Sequence, residues 1–230
     1  MTTPRALGLA LSGVLLATIV YALFIHDVTP TRDAAFPSQV GSTTATESAP
    51  VEDEVETSYA SIGVIGDGYL NGSGSFATLL GDALQSEVVK AGCAGAGYAR
   101  PGLSCGTFGD VLVPLVDAGP DAIFIAGGQN DVYSAEAGVD AARGLLQTIT
   151  EELPDADVFV VNPWWFTTAP PAGLSTLSDG LAAVADEFGV TFLDTGQPVA
   201  EGLADATTAL PTPDGHTALA TAIVEAWQNR

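Results

Sequence analysis

The chain has 230 residues, 47% of them hydrophobic, which is enough for one domain of moderate size with appendages. Its 28 acidic residues against 6 basic ones leave a formal charge of -22, which repels phosphate backbones and anionic headgroups and argues against nucleic acid as a partner. Two histidines, two cysteines and scattered acids make no metal-ligating cluster, so neither a metal nor another cofactor is expected.

Residues 6–25, ALGLALSGVLLATIVYALFI, carry no charge and reach the roughly 20 residues that a helix needs to cross a bilayer. Arg5 precedes them and no small-x-small cleavage site stands out after them. Residues 1–26 therefore read as a retained signal anchor with its N-terminus in the cytoplasm, a cleaved signal peptide being the alternative. His26 reads as an interfacial residue. Residues 27–58 are rich in Thr, Ser, Pro, Ala and Glu without periodicity, the pattern of a disordered tether. Residues 59–230 form the globular domain, expected outside the cytoplasmic membrane. There Cys93 and Cys105 are expected to form a disulfide, the alternative being two buried thiols.

Ser61 to Gly74, SIGVIGDGYLNGSG, is a short apolar run that ends in a glycine-rich turn, a buried strand and its exit. Ser75 to Ser86 has Phe76, Leu79, Leu80, Ala83 and Leu84 at helical spacing. A short apolar piece around Val88 and Val89 leads into the cysteine loop. Thr107 to Val116 predicts a second helix started by Gly106 or Thr107. Asp121 to Ala126 is the next buried strand and ends in GGQND. A long helix over about 135–153 leads to the strand DVFVV and the loop NPWWFTTAPP. Leu174 to Phe188 is helical, Val190 to Leu193 is a last strand, and Thr217 to Trp227 is a closing helix. Alternating strands and helices predict an α/β fold, a doubly wound parallel sheet of about five strands. Such sheets bind ligands at the carboxyl ends of their strands, where all the glycine-rich and polar blocks fall.

From Ser61 to Trp227 the pattern resembles the SGNH, or GDSL, hydrolases, in particular the membrane-tethered ones of actinobacteria. The resemblance implies a flavodoxin-like sheet order and a serine ester hydrolase site. In the first block a strand ends in Gly-Asp-Ser, the serine being the nucleophile; here the triplet is Gly66, Asp67, Gly68. AGAGYARPG resembles the loop whose glycine amide donates to the oxyanion, which leaves Gly95 and Gly97 as alternatives. GGQND matches the block whose asparagine, here Asn130, completes the oxyanion hole. The last block of the family commonly reads Asp-x-x-His-Pro-Thr-x-x-Gly-His, and Pro211, Thr212, Gly215 and His216 align with it without a gap. On that register the orienting aspartate is Thr207 and the base is Leu210. A competing register makes Asp214 and His216 the acid-base pair, still without a nucleophile.

Acyl transfer by serine needs a hydroxyl activated by a base, and the base needs a partner that fixes its tautomer. Gly68 supplies no nucleophile, Leu210 no base, and Thr207 no carboxylate to orient one. The reading is therefore a pseudo-hydrolase that binds an envelope glycan, lipid, acyl ester or protein partner. Amides of Gly68 and of Gly95 or Gly97, with Asn130, would hold an oxygen of the ligand. Trp164, Trp165 and Phe166 either stack on that ligand or cover the core edge. The alternatives are an active esterase or acyltransferase using Asp214 and His216, and a purely structural envelope scaffold.

Overall fold

The computed structural model describes residues 58–230, apart from 201 and 206. The expected anchor at 1–26 and all but the last residue of the tether at 27–58 lie outside them. Among the described residues no helix is long and apolar enough to cross a membrane.

Five strands form one sheet: β1 (Ser61–Gly66), β2 (Glu87–Gly92), β3 (Ala122–Ala126), β4 (Asp157–Val161) and β5 (Thr191–Leu193). All pairings are parallel and the order is β2-β1-β3-β4-β5. This is the flavodoxin-like doubly wound order. The helices are α1 (Phe76–Leu84), α2 (Val113–Ala118), α3 (Ala135–Glu152), α4 (Gly173–Phe188) and α5 (Pro213–Gln228).

The apolar runs of the strands are continuous because successive side chains point to opposite faces and both faces are covered. Ile123, Ile125, Val158 and Val160 pack with Leu145, Leu146 and Ile149 of α3 and with Leu177 and Leu181 of α4. Their sequence neighbours Phe124, Phe159 and Val161 face the other layer, with Phe76 and Leu80 of α1 and Leu219 and Ile223 of α5.

Two helix starts differ from the sequence expectation. The segment predicted as one helix over 107–116 is a single 3-10 turn, Gly109–Val111, followed by the short α2. The Asp110 carboxylate accepts from the N–H and the hydroxyl of Thr107, closing a turn at 2.8 and 2.9 Å, and Pro114 restarts the chain as a helix in its first turn. The last helix begins at Pro213, four residues earlier than the apolar spacing suggested. Thr212 caps it by accepting from the Gly215 N–H, with proline at the first helical position.

Candidate functional site

The first block leaves β1 at Gly66 and bends at once into a 3-10 turn, Gly68–Leu70, capped by Asp67, whose Oδ1 accepts from the Tyr69 N–H at 3.0 Å. The same carboxylate accepts through Oδ2 from Gln129 Nε2 and Asn130 Nδ2, both at 2.9 Å. Asp67 thus ties the exit of β1 to the exit of β3, the two strands at which the sheet order reverses. Burial pushes its carboxyl up, against the pull of these donors. Gly128, at φ 102, makes the turn between β3 and the Gln129 block, a left-handed conformation that suits glycine.

The loop after β2 is closed by the Cys93–Cys105 disulfide, as expected. It is pinned a second time by Asp131, whose carboxylate accepts from the N–H groups of Tyr98, Ala99 and Arg100 at 2.7, 3.1 and 2.9 Å. Gly97 is required here for space, since a Cβ on it would stand 2.2 Å from Asp131 Oδ2. The loop before α5 is a tight turn held by an isolated bridge between Ala204 and Pro211. Asp205 organises it, accepting from the Thr207 and Thr208 N–H groups and the Thr208 hydroxyl. The Tyr69 hydroxyl donates to Ala209 O at 2.9 Å and fastens this turn to the first block.

These loops enclose a cavity of about 420 Å³ whose lining includes Gly68, Gly95, Asn130, Trp165, Phe166 and Leu210. A Cβ on Gly68 would lie 3.5 Å from Leu210 Cδ2, so the positions aligned with the nucleophile and the base face each other. Gly95 lines the cavity and Gly97 does not, which separates the two candidate amides. Thr207 lies outside, exposed on the turn, and its neighbour Thr208 lines the wall. Trp164 is not a ligand platform: it is 2% exposed, stacks on Tyr69, packs edge-on against Phe76 and donates to Thr195 Oγ1 at 2.8 Å. Its neighbours Trp165 and Phe166 lean on each other at 4.9 Å between ring centres and do face the cavity.

His216 does not line the cavity. Its Nδ1 accepts from the Phe76 N–H at 3.2 Å, so the ring is the neutral Nε2–H tautomer and anchors the start of α1. Burial and the nearby Lys90 cation push its pKa down. Asp214 stands exposed in the first turn of α5, also outside the cavity lining.

The wall contains no serine, cysteine or histidine, and the side-chain donors of Gln129, Asn130 and Thr208 are committed, while Gln129 Oε1 is buried without a partner among the described residues. Asn130 Nδ2 donates to Asp67 Oδ2 and to Ala96 O at 2.8 Å, which uses both amide hydrogens. The N–H groups of Gly68 and Gly95 have no acceptor among the described residues. Sequence reasoning missed Arg100, Gln129, Tyr133 and Thr208 as lining residues. Arg100 carried a signal, being the one cation in its glycine-rich block.

Among solved structures the fold is similar to a family two carbohydrate esterase from Cellvibrio japonicus, at 16% identity and TM-score 0.59, covering 74% of this chain and 60% of that one. It is also similar to an acetylxylan esterase from Geobacillus stearothermophilus, at 17% identity and TM-score 0.58, covering 74% of this chain and 94% of that one. A comparison with curated protein sequences finds no match. The model of the GDSL-like lipase/acylhydrolase family matches residues 57–218. With the sheet order and the placement of its blocks around one cavity, this chain belongs to the GDSL-like lipase/acylhydrolase family.

Proposed function

We propose that the domain is a catalytically inactive member of its family that binds an acyl group, held outside the cytoplasmic membrane by the apolar segment at 6–25. The observation that carries this reading is the cavity itself. It is retained at the carboxyl ends of the strands, yet glycine and leucine face each other where a nucleophile and a base would stand, 3.5 Å apart from Cβ position to Cδ2. Without an ionisable base beside a hydroxyl, the wall offers no route to an acyl-enzyme. It does offer binding: unpaired amides at Gly68 and Gly95 suit a carbonyl or carboxylate oxygen, and Trp165, Phe166 and Leu210 suit an apolar chain.

The names of the structural neighbours point to acylated sugars, but a sugar ring needs several free hydrogen-bonding groups. Here the donors of Gln129, Asn130 and Thr208 already engage Asp67, Ala96 O and Asp205, which leaves Gln129 Oε1 as a buried acceptor without a partner among the described residues but few free donors. The acyl portion is therefore the better match. A disulfide on the loop that lines the cavity accords with an oxidising compartment outside the cytoplasm.

Hydrolysis of p-nitrophenyl acetate and butyrate by the full-length chain tests the catalytic half of this reading. No rate above buffer is expected. A rate that disappears in His216→Ala would overturn it in favour of the Asp214 and His216 pair. Protease added to intact cells should remove the domain while leaving cytoplasmic proteins whole, and protection of the domain would contradict its placement.

A further inference from the structure

The described residues contain four lysine and arginine side chains, Lys90, Arg100, Arg143 and Arg230. Three have partners. Lys90 Nζ donates to Ser75 Oγ, Thr78 Oγ1 and two carbonyls. Arg143 pairs with Asp140 and Glu187. Arg230 lies over the Phe159 and Trp227 rings. The Arg100 guanidinium has no hydrogen-bond acceptor and no salt bridge among the described residues, and it lines the cavity.

In a chain of formal charge -22 the Arg100 guanidinium forms no ion pair among the described residues; its charge is felt by Asp131, whose oxygens are spent on backbone N–H groups. The Arg100 backbone is not free. The Arg100 N–H is held by Asp131, its carbonyl accepts from the Gly97 N–H at 2.9 Å, and the loop is closed by the disulfide. The side chain therefore projects from a fixed point, which lowers the cost of ordering it on a ligand. In the rest of the wall the side-chain donors of Gln129, Asn130 and Thr208 are engaged and Gln129 Oε1 is a buried acceptor without a partner among the described residues, whereas Leu210, Phe166, Trp165 and Tyr133 form an apolar collar.

One cation on a fixed backbone, two unpaired amides and an apolar collar match a ligand with a single anionic head and an apolar body, the Asp67 carboxylate on the same wall being already met by Tyr69, Gln129 and Asn130. A planar guanidinium pairs with a carboxylate through two parallel hydrogen bonds. A phosphate dianion would face the repulsion of the whole chain with one cation to offset it. We infer that the cavity takes a free acyl carboxylate, a fatty acid of short to medium chain length, with Arg100 binding the head and the collar covering the chain. This deepens the acyl-binding reading and rests on it.

The test is calorimetric titration of the full-length chain in lipid nanodiscs, with empty nanodiscs as blank, using octanoate, methyl octanoate, octyl phosphate and trigalacturonate. Octanoate is expected to bind at least about tenfold tighter than methyl octanoate, the ratio that one charge-assisted pair supplies. Arg100→Gln should bring that ratio to about one by weakening octanoate, and Arg100→Lys should restore part of it. Arg100 is exposed, so the melting midpoint of either variant should match that of the parent. Equal binding of acid and methyl ester, unchanged in Arg100→Gln, overturns the role of Arg100 and leaves the acyl site standing. No binding of either octanoyl ligand overturns both. Tighter binding of octyl phosphate or trigalacturonate than of octanoate, lost in Arg100→Gln, overturns the carboxylate or the acyl chain respectively.

Discussion

On the proposed reading, placing a serine, a histidine and an aspartate at Gly68, Leu210 and Thr207 asks whether the cavity can be made to hydrolyse an ester. Gly68→Ser is the easy step. A Cβ there meets Ala94 Cα and Leu210 Cδ2 at 3.5 Å, ordinary contact distances, and Gly68 is not among the residues with positive φ. Replacing glycine at a compatible conformation stabilises by about 0.4–1 kcal/mol through the unfolded chain. For a domain of this size that is a rise of about 1–4 °C in melting midpoint. The new hydroxyl faces Leu210, so hydrolysis of p-nitrophenyl butyrate should stay within about tenfold of buffer, because triad members act as a unit.

Leu210→His is also tolerable, since Leu210 is 43% exposed and its replacement buries no polar group. The double variant should be the first with a measurable rate. Thr207→Asp adds less than alignment suggests. Thr207 is exposed outside the cavity, and its N–H is already held by Asp205, whose carboxylate would repel a second one. Even the triple variant lacks a third oxyanion donor, because both Asn130 amide hydrogens are engaged. Loss of one such donor lowers turnover by about 10²–10³, and the triple variant should remain short of a fully equipped site by that factor. Stopped assays on variants shown folded by circular dichroism measure this. A rate more than about 10³-fold above buffer in Gly68→Ser alone would refute the reasoning, since it would require a base that the cavity wall does not contain.

The loop that carries Arg100 should depend on its staple: Cys93→Ser with Cys105→Ser, a sequence separation of 12, is expected to cost about 3 kcal/mol in denaturant unfolding. The same variant should weaken octanoate binding, and an unaltered affinity would show that the disulfide does not hold the site. Gly97→Ala drives a Cβ into the Asp131 carboxylate and should cost about 1–3 kcal/mol, as overpacking does; a neutral result would mean that the loop yields freely. His216 has a folded pKa below its ordinary value near 6.5. Its contribution is therefore complete above about pH 6.5 and lost as pH falls through the folded value, because the unfolded chain takes up the proton first. His216→Asn keeps an acceptor without the titration, so its stability should fall less than the parent's between pH 7.5 and 5, and parallel losses would contradict the neutral ring. Lys90→Met removes donor contacts to Leu70 O and Gly72 O of the first block, to Ser75 Oγ and, inside α1, to Thr78 Oγ1; protection of amides 70–76 from hydrogen exchange should drop, and unchanged protection would make the lysine ornamental.

The alternation of apolar runs with amphipathic helices was enough to predict a parallel doubly wound sheet, because strands buried on both faces must be apolar throughout and helices covering them must be apolar on one side. The blocks at the strand ends were legible for the same reason: Gly66, Gly95, Gly128 and Asn130 sit where the chain leaves the sheet. That Gly68 and Leu210 carry neither a nucleophile nor a proton acceptor was legible as well, since a side chain that lacks such a group lacks it in any fold. Tertiary structure alone decided which neighbours in a motif do what. Trp164 and Trp165 are adjacent in sequence, but the turn after β4 sends one into the core and the other to the cavity. Gly95 stands at φ 81 on the cavity wall with its N–H unpaired among the described residues, whereas Gly97 is buried against Asp131 and donates its N–H to Arg100 O. The amide of Asn130 is available as a donor in the sequence and committed in the fold. Arg100 was one cation among six until the other described cations were seen to have partners, because pairing is set by distances between segments that are remote in the chain.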